Sequence, residues 1–215
     1  MTGGGTIIRP ATVRAWVEGW VVSRHAPDPV PEPWGLRVDV GLPDHVARHI
    51  VPHPTPAVLT RLTRSVTTPG TWLKLCAPAE AVAPGLSSKW RIQDPEFMMT
   101  TTLTRAAPRA PAGYTLAITT RSNVTAARLL TAAGEVAARG QFAPSGRTVV
   151  VDQVETAAGH RRRGLGTVVM QALASTAASM GARDGVLVAT AAGRALYETL
   201  GWSVHTPMTA AVLTL

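Results

Sequence analysis

Residues 149–173 read VVVDQVETAAGHRRRGLGTVVMQAL, a run that passes from strand into helix. Thr148–Thr156, with the β-branched series Val149-Val150-Val151, has the composition of a central strand. From Leu165 the period changes. Leu165, Val169, Leu173, Ala177 and Met180 recur three or four residues apart and predict a helix that ends before Gly181. At the junction Arg161, Gly164 and Gly166 form the pattern R-x-x-G-x-G. Glycines there let a ligand approach the backbone, and the free N–H groups and dipole of the helix start suit a pyrophosphate. The alternative is a solvated basic turn before an ordinary helix. A P-loop is excluded because no lysine follows Lys89, and Gly159, Gly164 and Gly166 lack the Rossmann spacing.

Working outward, Gly185–Ala189 reads as a short buried strand, and Thr190 as the cap of a second helix with Ala192, Leu196 and Leu200 on one face. Trp202–His205 and Thr209–Leu215 read as closing strands. Upstream, Tyr114–Thr120, Val124–Ala132 and Glu135–Phe142 are predicted strands, the last two joined by a turn at Ala133-Gly134. Before them TRAAPRAPAG is a Pro- and Gly-rich boundary, which divides the chain into 1–105 and 112–215. In the first part, Thr12–Ser23 and Thr55–Ser65 have helical spacing and Leu36–Val40 and Trp72–Cys76 strand character, while prolines 27, 29, 31 and 33 mark an extended loop. With an offset of 112, residues 73–103 overlay 185–215 with eight identities, Trp90 on Trp202 and Pro95 on Pro207 among them. A tandem repeat is one reading, and an unrelated helical extension before a single domain is the other.

Composition sets outer limits. The chain has 215 residues, 46% hydrophobic and 16% charged, enough for one large domain or two of about 100 residues. Its apolar runs are a few residues long, so no membrane span is expected, and MTGGGTIIRPATVRAWVEGW lacks the layout of a secretory signal, so a cytoplasmic protein is expected. The single Cys76 supports neither a disulfide nor a structural zinc site, and no metal is expected. The net charge of +8 is spread over both halves and only Arg161-Arg162-Arg163 is clustered. With 5% aromatics and no interleaving of aromatic with basic residues, the pattern disfavours nucleic acid as a partner.

HRRRGLG after an apolar strand, followed by GRALYETLGW at 193–202, resembles the GNAT superfamily of acetyl-coenzyme A dependent N-acetyltransferases. The resemblance covers about residues 112–215. It implies an α/β (α+β) fold with a mixed, mostly antiparallel sheet flanked by helices, and with the repeat, two tandem GNAT-like domains of which the first is degenerate or accessory. It also implies that the pantetheine arm pairs with Val154, Glu155 and Thr156, and that the pyrophosphate meets the segment Arg161, Arg162, Arg163, Gly164, Leu165, Gly166 and Thr167. Tyr197 maps onto the family tyrosine that acts as general acid toward the leaving thiolate. The reaction implied is direct attack of a primary amine on the thioester of acetyl-CoA, the amine being a small molecule or a peptide. Glu155 or Asp152 would serve as base, Glu155 being preferred because it lies nearer the strand end, and His160 and His205 are remoter candidates. The alternative is a coenzyme A binding or regulatory module without catalysis. A monomer and a homodimer are both open.

One departure from the family layout matters. The resemblance implies two helices between the first two strands, where the chain has room only for a turn between Thr120 and Val124. The acceptor site is therefore expected from the first half, with Trp16, Trp20, Trp34 and the Pro-rich loop as candidate walls, although core packing is the favoured reading of the tryptophans. That half should not bind coenzyme A itself, because Gly164 and Gly166 fall on Pro52 and Pro54, which have no N–H to donate.

Overall fold

The computed structural model describes residues 8–214. In chain order its elements are α1 (Pro10–Arg24), β1 (Val30–Glu32), β2 (Gly35–Leu42), β3 (His45–Val51), α2 (Pro56–Ser65), β4 (Thr71–Leu75), α3 (Ala79–Val82), β5 (Trp90–Ile92) and β6 (Glu96–Thr102). After the Pro-rich segment come β7 (Tyr114–Arg121), β8 (Val124–Thr131), β9 (Val136–Ser145), β10 (Thr148–Thr156), α4 (Leu165–Ser179), β11 (Asp184–Thr190), α5 (Ala191–Thr199) and β12 (Ser203–Leu213). The strands form one mixed, mostly antiparallel sheet in the order β1-β2-β3-β4-β12-β6-β11-β10-β9-β8-β7, with β5 beside β12. No helix among the described residues is long and apolar enough to cross a membrane.

The closing strands differ from the sequence reading. Instead of two strands, the described residues hold one, β12, whose register shifts between Val204 and Thr206. Its first part, Ser203–Met208, pairs with β6, and β6 pairs along its whole length with β11. Its second part lies between β4, through Thr209–Val212, and β5, through Ala211–Leu213. Thus β4, the end of β12 and β5 lie in the same order as β11, β6 and the start of β12. The expected strand end at Leu215 falls outside the described residues. The Pro-rich segment has no regular structure, and Ser175 pins it across α4 by donating to the Ala106 carbonyl at 2.7 Å.

Alternate residues of the Val149–Val151 run face opposite sides of the sheet, and both sides are covered. Val149 and Val151 pack with Leu165, Val169 and Leu173 of α4, while Val150 packs with Val13, Trp16, Val17 and Trp20 of α1. Helix α1 starts on Pro10, which needs no hydrogen-bond acceptor there, and stops at His25 in the left-handed conformation (φ 52°). Its core takes residues from both halves of the chain: Leu36, Val38 and Ile50 from one, Val150, Val186 and Met208 from the other. A third cluster joins Leu59, Leu62 and Val82 to Leu73, Leu75 and Leu213.

Helix α1 can lie this close because Gly19 faces β10: a Cβ there would overlap the Val150 side chain. Gly19→Val should therefore destabilise the protein by about 1–3 kcal/mol through overpacking, lowering the melting temperature by roughly 2–10 °C. Gly159→Ala, where an added Cβ meets nothing within 4 Å, should leave it almost unchanged. Thermal denaturation followed by circular dichroism checks both.

Candidate active site

Parallel pairing between β10 and β11 covers only Thr148↔Asp184, Val149↔Gly185 and Val150↔Val186. Beyond Val150 the strands separate. A bulge between Asp152 and Glu155, with Gln153 at φ 54°, turns β10 away while it stays paired with β9. Between β3 and β4 the first half shows no such opening. They pair from Ala47↔Thr71 to Val51↔Leu75, and the Cys76 N–H donates onward to the Val51 carbonyl.

The strand ends in a tight turn in which Arg162 (φ 61°) and Gly164 (φ 74°) are left-handed. Gly164 is the N-cap of α4, and no side chain caps the helix, so the first-turn N–H groups of Leu165, Gly166 and Thr167 point outward without a side-chain acceptor. Gly166 lets α4 approach α5, since a Cβ there would sit 3.1 Å from Leu196 Cδ2. The arginines around the turn are held apart. Arg161 Nε donates to the Thr156 carbonyl at 3.3 Å and Arg163 donates to the Tyr114 hydroxyl at 3.0 Å. The same hydroxyl shares a 2.8 Å hydrogen bond with His160 Nδ1.

In the opening lies a cavity of about 300 Å³. One wall is the separated strand pair, Val151–Val154 and Leu187–Thr190, with Tyr197 and Gly193 of α5. The other is Trp16, Trp20 and Arg24 of α1, with Arg48, Lys74 and Glu96 from β3, β4 and β6. Tyr197 is 8% exposed and packs against Trp202. Burial, followed by the charge of Asp152, pushes its hydroxyl up to about 12, so it stays protonated at neutral pH.

Of the two proposed carboxylates, the cavity contains Asp152 and not Glu155. Because of the bulge, Asp152 opposes Gln141 and Glu155 opposes Arg139, two residues apart, so both carboxylates lie on one face. Glu155 lies past the end of α1, where it is exposed and paired with Arg139 at 2.9 Å. The structure therefore does not bring the expected base Glu155 together with Tyr197. Asp152 accepts from Arg24 at 2.5 and 2.9 Å, from Ser23 at 3.0 Å and from the Gln153 N–H at 2.9 Å, so its oxygens are saturated. Val154 lines the cavity, and Thr156 stays on β9, opposite Ala138. His205 lines a separate cavity and accepts from the Arg9 N–H. Trp16 and Trp20 are buried in the α1 core and also line the cavity, whereas Trp34 donates to His49 Nδ1 and the Pro-rich loop becomes the edge strand β1, so neither reaches it.

The remaining charged residues of the cavity escaped sequence reasoning. Lys74 is buried and paired with Glu96 at 2.5 Å, and burial lowers it to about 8 in spite of that partner. Arg48 lies over the Trp20 ring, its Cζ 4.2 Å from the centroid, and donates from Nε to His45 Nε2 at 3.3 Å. Burial lowers Arg48 to about 10. His45 is lowered to about 4, chiefly by burial and then by Arg48, Lys74 and Arg24, which keeps its Nε2 an acceptor. The available signal was a lone lysine in the apolar strand TWLKL.

With this geometry in place, comparison with known proteins decides the family. The model of the acetyltransferase (GNAT) family matches residues 96–202. The segment 96–202 belongs to the GNAT family. No curated protein matches the chain. Among solved structures, a GCN5-related N-acetyltransferase from Kribbella flavida superposes with a TM-score of 0.69 at 16% identity, covering 98% of this chain and 96% of that one. A GNAT-family protein from Novosphingobium aromaticivorans gives 0.57 at 17% identity, with 96% and 98% covered. A tandem GNAT protein from the clavulanic acid biosynthesis pathway gives 0.51 at 14% identity, with 71% and 66% covered. At these identities the shared property is the fold. The GNAT match begins at Glu96, the first residue of β6, because that strand sits between β11 and β12.

The histidine beneath Arg48 gives a pH test. Folded His45 takes a proton only near pH 4, whereas in the unfolded chain it does so near the ordinary 6.5. Between those values the unfolded state binds more protons, so stability present above pH 6.5 is lost as the pH falls toward 4. The slope from this group reaches at most about 1.4 kcal/mol per pH unit. Urea denaturation from pH 7 to 4 should show a shallower loss in His45→Gln than in the wild type; equal losses would remove His45 as the source.

Proposed function

We propose that the protein transfers an acetyl group from acetyl-CoA to a primary amine in the cavity between β10, β11 and α1. The observation that carries this reading is the separation of β10 from β11 after Val150, ending at an uncapped helix start. The residues present fit the cosubstrate. The edge of β10 at Val151–Val154 lies open to a pantetheine arm, and the amides of Gly164–Thr167 together with the dipole of α4 suit a pyrophosphate. Bound there, acetyl-CoA supplies an acetyl group activated as a thioester. Tyr197 holds a proton at its hydroxyl for the departing sulfur. Glu96, bonded to Lys74 through only one of its oxygens, is a freer proton acceptor for the attacking amine than Asp152. Asp152 instead fixes Arg24 and thereby the end of α1 over the opening.

We read the first half as a degenerate GNAT-like unit that lost cofactor binding and kept a structural part. Its support is the like order of β4, β12, β5 and β11, β6, β12, in which each unit's last strand enters the other's sheet, together with the unbroken β3–β4 pairing. In that reading 1–105 and 112–215 fold around each other.

Thermal shift and turnover test the proposal together. At about 100 times the dissociation constant, acetyl-CoA should raise the melting temperature by roughly 5–10 °C. Gly164→Glu should abolish the shift, because it puts a side chain at φ 74° and a carboxylate against the phosphate amides. Tyr197→Phe and Glu96→Gln should keep the shift and lower kcat by roughly 100-fold or more. Full shift without turnover of any amine would favour a non-catalytic coenzyme A binding module.

A further inference from the structure

The charges around the cavity do not cancel. Its wall carries three cations, Arg24, Arg48 and Lys74, and two carboxylates, Asp152 and Glu96. Arg24 takes Asp152 and Lys74 takes Glu96, so among the described residues Arg48 has no carboxylate within 4 Å. Yet Arg48 is held in place. Its guanidinium stacks on Trp20, its Nε is fixed by His45, and its terminal nitrogens donate to no described residue. Among the described residues no fully buried side-chain nitrogen lacks a partner, so those terminal nitrogens are accessible, and Arg48 lines the cavity. A planar, immobilised guanidinium with its donor fork open is built for bidentate binding of a carboxylate, at little further cost in side-chain entropy.

Resting on the acetyl-transfer reading above, we propose that the acceptor is a small aminocarboxylate whose carboxylate is bound by Arg48 while its amine lies beside Glu96. Both ends of such a molecule find an opposite charge on the same wall. The one cation in excess also draws an anion into the opening. Size points the same way: about 300 Å³, shared with the acetyl end of the cosubstrate, leaves room for a compound on the scale of an amino acid. Arg48 is thus a specificity-determining residue, and neither it nor Lys74 comes from the segment 112–215.

The test is steady-state acetylation by the full chain at saturating acetyl-CoA, using matched pairs of small primary amines, each an amino acid and its carboxamide. The wild type should favour the acid by roughly 100-fold or more in kcat/KM for the best pair. In Arg48→Met that ratio should fall to within a few-fold of one, chiefly through a raised KM for the acid, and Arg48→Lys should fall between. The melting shift with acetyl-CoA verifies that each variant is folded. A wild-type ratio near one, an unchanged ratio in Arg48→Met, or no acetylated amino acid from a wild type that shows the shift would overturn the proposal. A wild type without any shift overturns the acetyl-transfer reading, and this one with it.

Discussion

Three rungs of parallel pairing, ending at Val150↔Val186, are all that joins β10 to β11, and the rest of the site depends on their stopping there. Strands that diverge inside a sheet leave backbone donors and acceptors without partners, which costs free energy unless something else occupies the gap. The left-handed Gln153 makes the divergence possible by letting β10 bend while it keeps its bonds to β9. The turn at Arg162–Gly164 then leads into α4, whose first-turn N–H groups have no side-chain cap. The pair β3 and β4, in the corresponding place of the first half, stays closed to its end and offers no such surface.

Where the resemblance implies two helices, the chain has only the turn between β7 and β8, and α1 covers the sheet instead. It crosses the sheet on the opposite side from α4, close because of Gly19, and is tied down by the Arg24–Asp152 pair and by Ser145 donating to Glu18 at 2.8 Å. Asp152, beside the opening, is thus held by four hydrogen bonds, three of them from Ser23 and Arg24 at the end of α1. The exchange of β6 and the end of β12 has a similar consequence. It brings Glu96 to the cavity from the first half of the chain, and with β3 and β4 alongside, Arg48 and Lys74 as well. The uncapped helix start comes from one half of the sequence, and most of the charged residues of the cavity from the other.

Legibility in the sequence followed local chemistry. The strand, turn and helix from Thr148 to Ser179 could be read because valine runs, glycines and helical spacing are local signals, and Tyr197 could be placed because its motif is contiguous. Strand β3, HVARHIV, escaped because its two histidines and arginine imitate a polar loop, although His49 is buried and Arg48 lines the cavity. Lys74 and Glu96, 22 residues apart, meet only across the sheet, and no periodicity reports that contact. A position near the strand end singles out Glu155, but strand position does not report the one-residue bulge before it, after which Glu155 lies outside the cavity.

Hydrogen–deuterium exchange with and without acetyl-CoA reads the backbone of both strand pairs in one experiment. Peptides covering 151–156 and 161–168 should gain protection on addition of acetyl-CoA, while those covering 47–53 and 71–76 should not change. Protection confined to the second set, or absent from the first under saturating acetyl-CoA, would contradict the account.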